Sequence, residues 1–310
     1  MTSATGQQYE LHHTSAVLGD LKATVAQVGA SIRQFSVGTI DLVQGYAVDQ
    51  PAPFCAGVVM SPWPNRIDGG RWNYRGKTLQ FDINVVNQQN ANHGLLLDYR
   101  YELVSRTPSS VTLGATIFPR EAYPFLVETT VTYALGETGL TVTHSAINRS
   151  TADAPYAVGG HPYFKFSEVD AAELIVSNQA KTRTTVDERQ IPNGEEATEG
   201  TIFDLRAGVR LPAVFIDQDF TDLEFDEAGH AHTFLLTEQG RGLDVWQDET
   251  FKHVVIFTPA YFPTESGGKT YAAAIEPSTA APNAFNTGKN LAWLKTDDLF
   301  KASWGVTPIL

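Results

Sequence analysis

One cysteine, Cys55, stands in 310 residues, so no disulfide can close within the chain and no zinc site can be built from paired thiolates. That usage fits a reducing compartment, and cytoplasmic residence is the expectation. Basic charge is also scarce: 22 Lys and Arg face 35 Asp and Glu, a net charge of -13, with no basic cluster or stripe. Such a chain repels phosphate backbones and anionic surfaces, so neither nucleic acid nor membrane is an expected partner. No apolar run reaches membrane-spanning length. The opening MTSATGQQYELHH has neither the basic nor the apolar part of a secretory signal. Sustained 3.6-residue periodicity is missing, and the best helical stretch, 286–294, is interrupted by Gly288. There is no GxGxxG, P-loop, HExxH or GxSxG, so nicotinamide, nucleotide, zincin and serine-hydrolase chemistry lack their basic requirements.

What is present is period-two alternation punctuated by 25 glycines and 16 prolines. Val111, Leu113, Ala115 and Ile117 share one strand face; Val127, Val131 and Tyr133 point inward from the next. A Gly-Glu-Thr-Gly turn then leads to Leu140, Val142, His144 and Ala146, which predicts a hairpin. Further strands are expected near 10–17, 23–28, 173–177, 183–186, 233–237, 242–247 and 252–258, the last covered on both faces. The region 187–200 reads as a long connection. Another strand, 270–275, should stop at Glu276, because Pro277 cannot donate a ladder hydrogen bond. With no linker and no fixed repeat, the pattern describes an all-β, antiparallel, sandwich-like fold in one domain, 1–310.

Glu276 is the only acid in YAAAIEPSTAAPNAFNTG, among residues too small to crowd a ligand. It reads either as a solvated strand-end carboxylate or as a proton-transfer group. Of the eight histidines, His12 and His13 fall in the first strand, His144 on an apolar face as a core histidine, and His253 at a strand start. His230 and His232 have metal-ligand spacing on one strand face, but no third ligand is near. His93 follows an Asn/Gln-rich loop, NVVNQQNANHG, and His161 sits in VGGHPYFKF, where Gly159 and Gly160 permit unusual angles or a close approach. Arg66, in SPWPNRIDGG, can fork two hydrogen bonds to vicinal hydroxyls or a carboxylate, or can simply be a turn arginine.

Together these segments resemble the aldose 1-epimerase (galactose mutarotase) family. PNRIDGGRWNYRGKTLQFDIN is similar to its N-terminal signature, NANHGL to its His-Gly motif and GGHPYFKF to its His-x-Tyr-Phe motif. FIDQDFTDL, preceded by GTIFDLR, resembles its Asp-x-x-Phe segment, and IEPSTAAPNAFNTG the block carrying the catalytic Glu. The segments run in family order from about Pro64 to Asn286. Asn92, Leu95, Gln218 and Ser278 depart from common family residues, each beside a binding position, which bears on the substrate more than on the reaction class.

The resemblance implies a large antiparallel β-sandwich, a supersandwich of the galactose mutarotase type, that interconverts sugar anomers without cofactor or metal. It implies that Glu276 takes the anomeric proton, that His161 protonates the ring oxygen, and that His93 stabilises charge there. Arg66 and Asp217 would grip hydroxyls, with Asn65 and Tyr163 as further substrate contacts. The expected partner is a small sugar and the expected assembly a monomer or homodimer. Partial burial beside Ala273, Ala274 and Ile275 should raise the Glu276 pKa. Three alternatives stay open: a glycoside hydrolase using Glu276 and Asp217, a non-catalytic sugar-binding module, and an epimerase for a phosphorylated or sulfonated sugar. The last would need an anion pocket, with Arg66, Arg71, Arg75, Arg100 and Arg106 the arginines nearest the motifs.

Overall fold

Alternation turns into pairing in the computed structural model, which describes residues 3–264 and 267–310. Ser110–Ile117 pairs with Val127–Gly136, and that strand with Gly139–Asn148 through the expected turn, Gly136 lying opposite Gly139. The residues assigned inward are buried, from Val111 and Leu113 to Tyr133 and Val142. These strands lie in a nine-stranded antiparallel sheet, which continues through Leu299–Ile309, Gly242–Asp248 and His230–Leu236 to Ile175–Asn178 and Val209–Arg210. An eight-stranded sheet carries Asp217–Thr221, His253–Phe257, Ala273–Ser278 and the short segments Gly159–Gly160 and Val59–Met60. A four-stranded sheet opens the chain with Gln8–Ser15 and Gly19–Ala26. One hydrophobic core joins residues of all three, from Tyr9 to Val306, which makes the architecture a large β-sandwich. His144 is a core histidine: it is buried, accepts from Trp304 Nε1 at 3.1 Å, and burial pulls its pKa down to about 3. Among the described residues no helix is long and apolar enough to cross a membrane.

Three local expectations are corrected. The strand expected to end before Glu276 runs over Ala273–Ser278, with Glu276 in its interior opposite Val255. Ile275 and Thr279 donate to Pro162 and Val158, so odd-numbered N–H groups face that irregular segment. Pro277's missing donor falls on the same side, leaving the ladder to His253–Phe257 unbroken. The region 187–200 is no long connection, because Pro192–Ala197 folds back on Thr182–Val186 as a hairpin. The helical stretch is a single turn, Ala284–Thr287, closed by Gly288 at φ 74°, and Ala292–Leu294 is a strand.

Candidate active site

The eight-stranded sheet raises one row of chemistry. Asp217 lies across from Phe257 and Phe257 from Ala274; Asp219 lies across from Val255 and Val255 from Glu276. Paired residues, and residues two apart, share a face, so Asp217, Phe257, Val255 and Glu276 point the same way. Ala273 and Ile275 therefore point to the other face, and of the three neighbours expected around Glu276 only Ala274 shares its side.

His161 follows Gly159–Gly160 near one edge of that sheet, and His93 follows a separate two-stranded ribbon beside it. Gly160 pairs with Val59, His161 N donates to Val58 O at 3.1 Å, and His161 O accepts from Gly57 N at 2.8 Å. Gly159 and Gly160 are extended rather than left-handed. They are glycines because a Cβ on Gly160 would come within 3.0 Å of the Trp304 ring, and one on Gly159 within 2.9 Å of Pro277 O. Tyr163 stacks on the His161 ring at 5.3 Å, with its hydroxyl directed to Phe54 O at 3.4 Å. The Arg66–Asp68 strand pairs with Asn90–Asn92, Arg66 opposite Asn92. Asn65 and His93 both take left-handed angles, φ 55° and 63°, and the Asn65 N–H donates to His93 Nδ1 at 3.2 Å.

These elements bring Asn65, Arg66, His93, His161, Tyr163, Asp217 and Glu276 around one cleft of about 330 Å³. His161 Nε2 is 3.4 Å from Glu276 Oε1, and the rings of His93 and His161 are 5.1 Å apart. Sequence reasoning missed the wall formed by Phe54 and Cys55 and the apolar contributions of Leu97, Val255 and Phe257. Asn84 and Asn92, both in the amide-rich loop, also line the cleft and bond each other through Asn84 Nδ2 to Asn92 O at 3.0 Å.

Burial dominates the electrostatics. It raises Glu276 well above the usual carboxylate range, with Asp217 adding to the rise and Arg66 opposing it. It pulls His161 down to about 4, with Arg66 helping, and His93 well below its ordinary value, with His161 and Arg66 adding. His93 is thus a neutral ring. Its Nδ1 accepts from Asn65, so its Nε2 carries the hydrogen and is a donor. Asp217 is raised by burial against the pull of Arg66. Cys55, pushed up to about 12 by burial and by Glu276, is a thiol and not a nucleophile.

Gly94 fixes the turn that presents His93. Its φ is +83°, and a Cβ there would stand 2.1 Å from Ser61 O, the carbonyl that accepts from Leu95 N at 2.7 Å. Gly94→Ala is expected to destabilise the protein by at least about 1–3 kcal/mol from backbone strain alone, and to displace His93. An unchanged midpoint in urea would refute this.

His230 and His232 lie outside the cleft. His230 stacks on Trp246 at 4.4 Å, while His232 is held between Asp244 at 2.8 Å and Asp226 at 3.2 Å. Among the described residues no group of three or more metal-ligating side chains is assembled. The hydrogen bond to Asp244 is the largest cause raising His232 to about 9. A raised histidine stabilises the fold fully below its unfolded pKa, and the contribution is lost as pH climbs through about 9. Urea midpoints should therefore fall between about pH 6.5 and 9 by more in wild type than in His232→Gln; parallel curves would refute it.

The sequence profile of the family described as aldose 1-epimerase matches residues 10–298. The uncharacterized protein YihR of Escherichia coli K12 is 30% identical over 286 residues, 91% of this chain and 88% of its own. Among solved structures, a GalM/aldose epimerase homologue from C. elegans superposes with a TM-score of 0.83 at 19% identity, covering 98% of this chain and 100% of its own. A galactose mutarotase-like protein from Clostridium acetobutylicum gives 0.80 at 17% identity, covering 98% and 99%.

Proposed function

Since the chain belongs to the aldose 1-epimerase family, we propose that it interconverts the α and β anomers of a hexose by acid/base opening and closure of the ring. The observation that carries this reading is the Glu276 carboxyl and the His161 imidazole, 3.4 Å apart in one buried cleft, with His93 beside them. Ring opening needs a proton removed from the C1 hydroxyl and one delivered to the ring oxygen, then rotation about C1–C2 and closure on the other face. Glu276 takes the first proton and His161 supplies the second, each worth on the order of 10²–10⁴ in rate. The His93 Nε2–H, whose direction is set by the Asn65 N–H on the opposite nitrogen, stabilises charge growing on the ring oxygen. Arg66 and Asp217 hold hydroxyls away from the reacting bond, so that C1 turns while the rest of the ring stays still. Asn65 and Tyr163 complete the contacts.

The charge balance supports a neutral sugar. Of the five arginines near the motifs, only Arg66 lines the cleft, and it shares it with the carboxyls of Asp217 and Glu276. The test is polarimetry on freshly dissolved α-glucose and α-galactose, with exchange NMR over a panel of hexoses, pentoses, sugar phosphates and sugar sulfonates. Acceleration of a neutral hexose is expected. Tight binding without anomer exchange would turn the reading to a sugar-binding module. Release of reducing sugar from an aryl glycoside would turn it to a hydrolase.

A further inference from the structure

The Arg66 guanidinium is fixed partly from outside the cleft. Its Nη1 donates to Asn65 Oδ1 at 3.1 Å and its Nε to Gln88 Oε1 at 3.1 Å. Gln88 belongs to a loop closed on itself between Val85 and Asn90, where Val85 N donates to Asn90 O at 3.1 Å. A surface loop of this kind does not hold a glutamine still by itself.

Arg189 supplies the missing restraint. Its Nε donates to Gln88 O at 3.0 Å, and its Nη2 to Gln89 O at 3.2 Å and Asn90 Oδ1 at 3.1 Å. Its Nη1 lies 2.9 Å from Asp68 Oδ1, and its carbonyl accepts from Asn90 Nδ2 at 2.8 Å. Asp68 and Asn90 face each other one pair along from Ile67 and Ala91, in the same ribbon that carries Arg66. One guanidinium therefore ties both strands of that ribbon to the loop bearing Gln88. The tip presenting Arg189 is itself rigid: Asp187 Oδ1 accepts from Arg189 N and Ile191 N, both at 2.9 Å.

A lone exposed ion pair such as Arg189–Asp68 contributes little. A planar fork making three further hydrogen bonds to consecutive residues of one loop is a different object, because an ammonium cannot reproduce its geometry. We propose that Arg189 is a positioning residue: through the backbone of Gln88 it holds the Gln88 amide where that amide fixes the Arg66 guanidinium for the sugar. The role toward a sugar rests on the proposed function; the hold of Arg189 on Gln88 and of Gln88 on Arg66 does not.

Anomer-exchange kinetics and NMR of the ligand-free protein together test it. In Arg189→Ala and in Gln88→Ala, KM should rise about tenfold with kcat within about twofold of wild type, because a binding group has lost its aim and the proton-transfer pair is untouched. Arg189→Lys should not restore KM. The double variant should cost no more than the worse single one, since both act along one path. A KM for Arg189→Ala within about twofold of wild type, or singles that multiply in the double variant, would overturn the proposal. The Arg66 Nε–H resonance reads the same claim without turnover. It should shift and exchange with water about tenfold faster in Arg189→Ala, while the Nε–H of Arg149, bound to Glu128 at 2.8 Å, stays as it was. An Arg66 signal that does not move overturns the proposal. Absence of anomer exchange in wild type removes the proposed function alone and leaves the resonance to decide the positioning role.

Discussion

Glu276→Gln is expected to lose on the order of 10²–10⁴ in kcat for anomer exchange while melting no lower than wild type. The amide keeps the shape of the carboxyl and one acceptor oxygen, but it cannot take a proton from the C1 hydroxyl. The stability half follows from burial. Glu276 is 2% exposed, and burial first, then Asp217, raises its pKa well above the ordinary value. The folded protein therefore binds this proton more tightly than the unfolded chain does. Between the two pKa values the folded state carries more protons, and stability falls as pH rises. Gln removes that penalty, so at pH 7 the variant should be as stable as wild type or more so. Polarimetry together with a thermal melt checks both halves. Equal rates for the two proteins would take Glu276 out of the chemistry, and a lower melting temperature would show that its charge is better paired than burial implies.

How much of this was legible from residues alone depended on which faces of a strand meet water. Ser110–Ile117 and Gly139–Asn148 alternate buried with partly exposed residues, so their pattern carries phase and limits. Ala273–Ser278 is buried at every position, so nothing in its sequence marks where it ends, and Pro277 suggested a stop that the neighbouring segment makes unnecessary. His93, His161 and Glu276 stood out because each sits in a short, compositionally odd segment: an amide-rich loop, a double glycine, a run with a single acid; Asp217, Asn65 and Tyr163 carry no such mark and came only from the family resemblance. The Phe54–Cys55 wall has no such mark. Both residues take left-handed angles, φ 49° and 59°, which ordinary side chains adopt only under tertiary constraint. Arg189 was invisible for a related reason: its partners lie about a hundred residues away, and only the unforeseen hairpin between Thr182–Val186 and Pro192–Ala197 carries it to them.

The pH profile of His161→Gln should differ from wild type in shape as well as height. Burial depresses His161 to about 4 and raises Glu276, so a single proton shared by the pair rests on the carboxyl. The state the reaction needs, carboxylate beside imidazolium, has the same total number of protons. It is reached by moving that proton across the 3.4 Å gap as sugar oxygens fill the cleft, with no change in the cleft's net charge, which a low-dielectric site resists. Wild-type kcat/KM should accordingly be a bell. Its acid limb lies near pH 4, where His161 gains a second proton for the pair, and its alkaline limb lies at the raised pKa of Glu276, where the single proton is lost. Without the imidazole, water must protonate the ring oxygen, and Glu276 acts only once ionised. His161→Gln should then lose on the order of 10²–10⁴ near neutrality, and its residual rate should climb through the pH range in which wild type declines. Gln keeps a donor at the same place, so a variant that retained the bell and most of the rate would show that His161 only orients the sugar, and that the ring oxygen takes its proton from elsewhere.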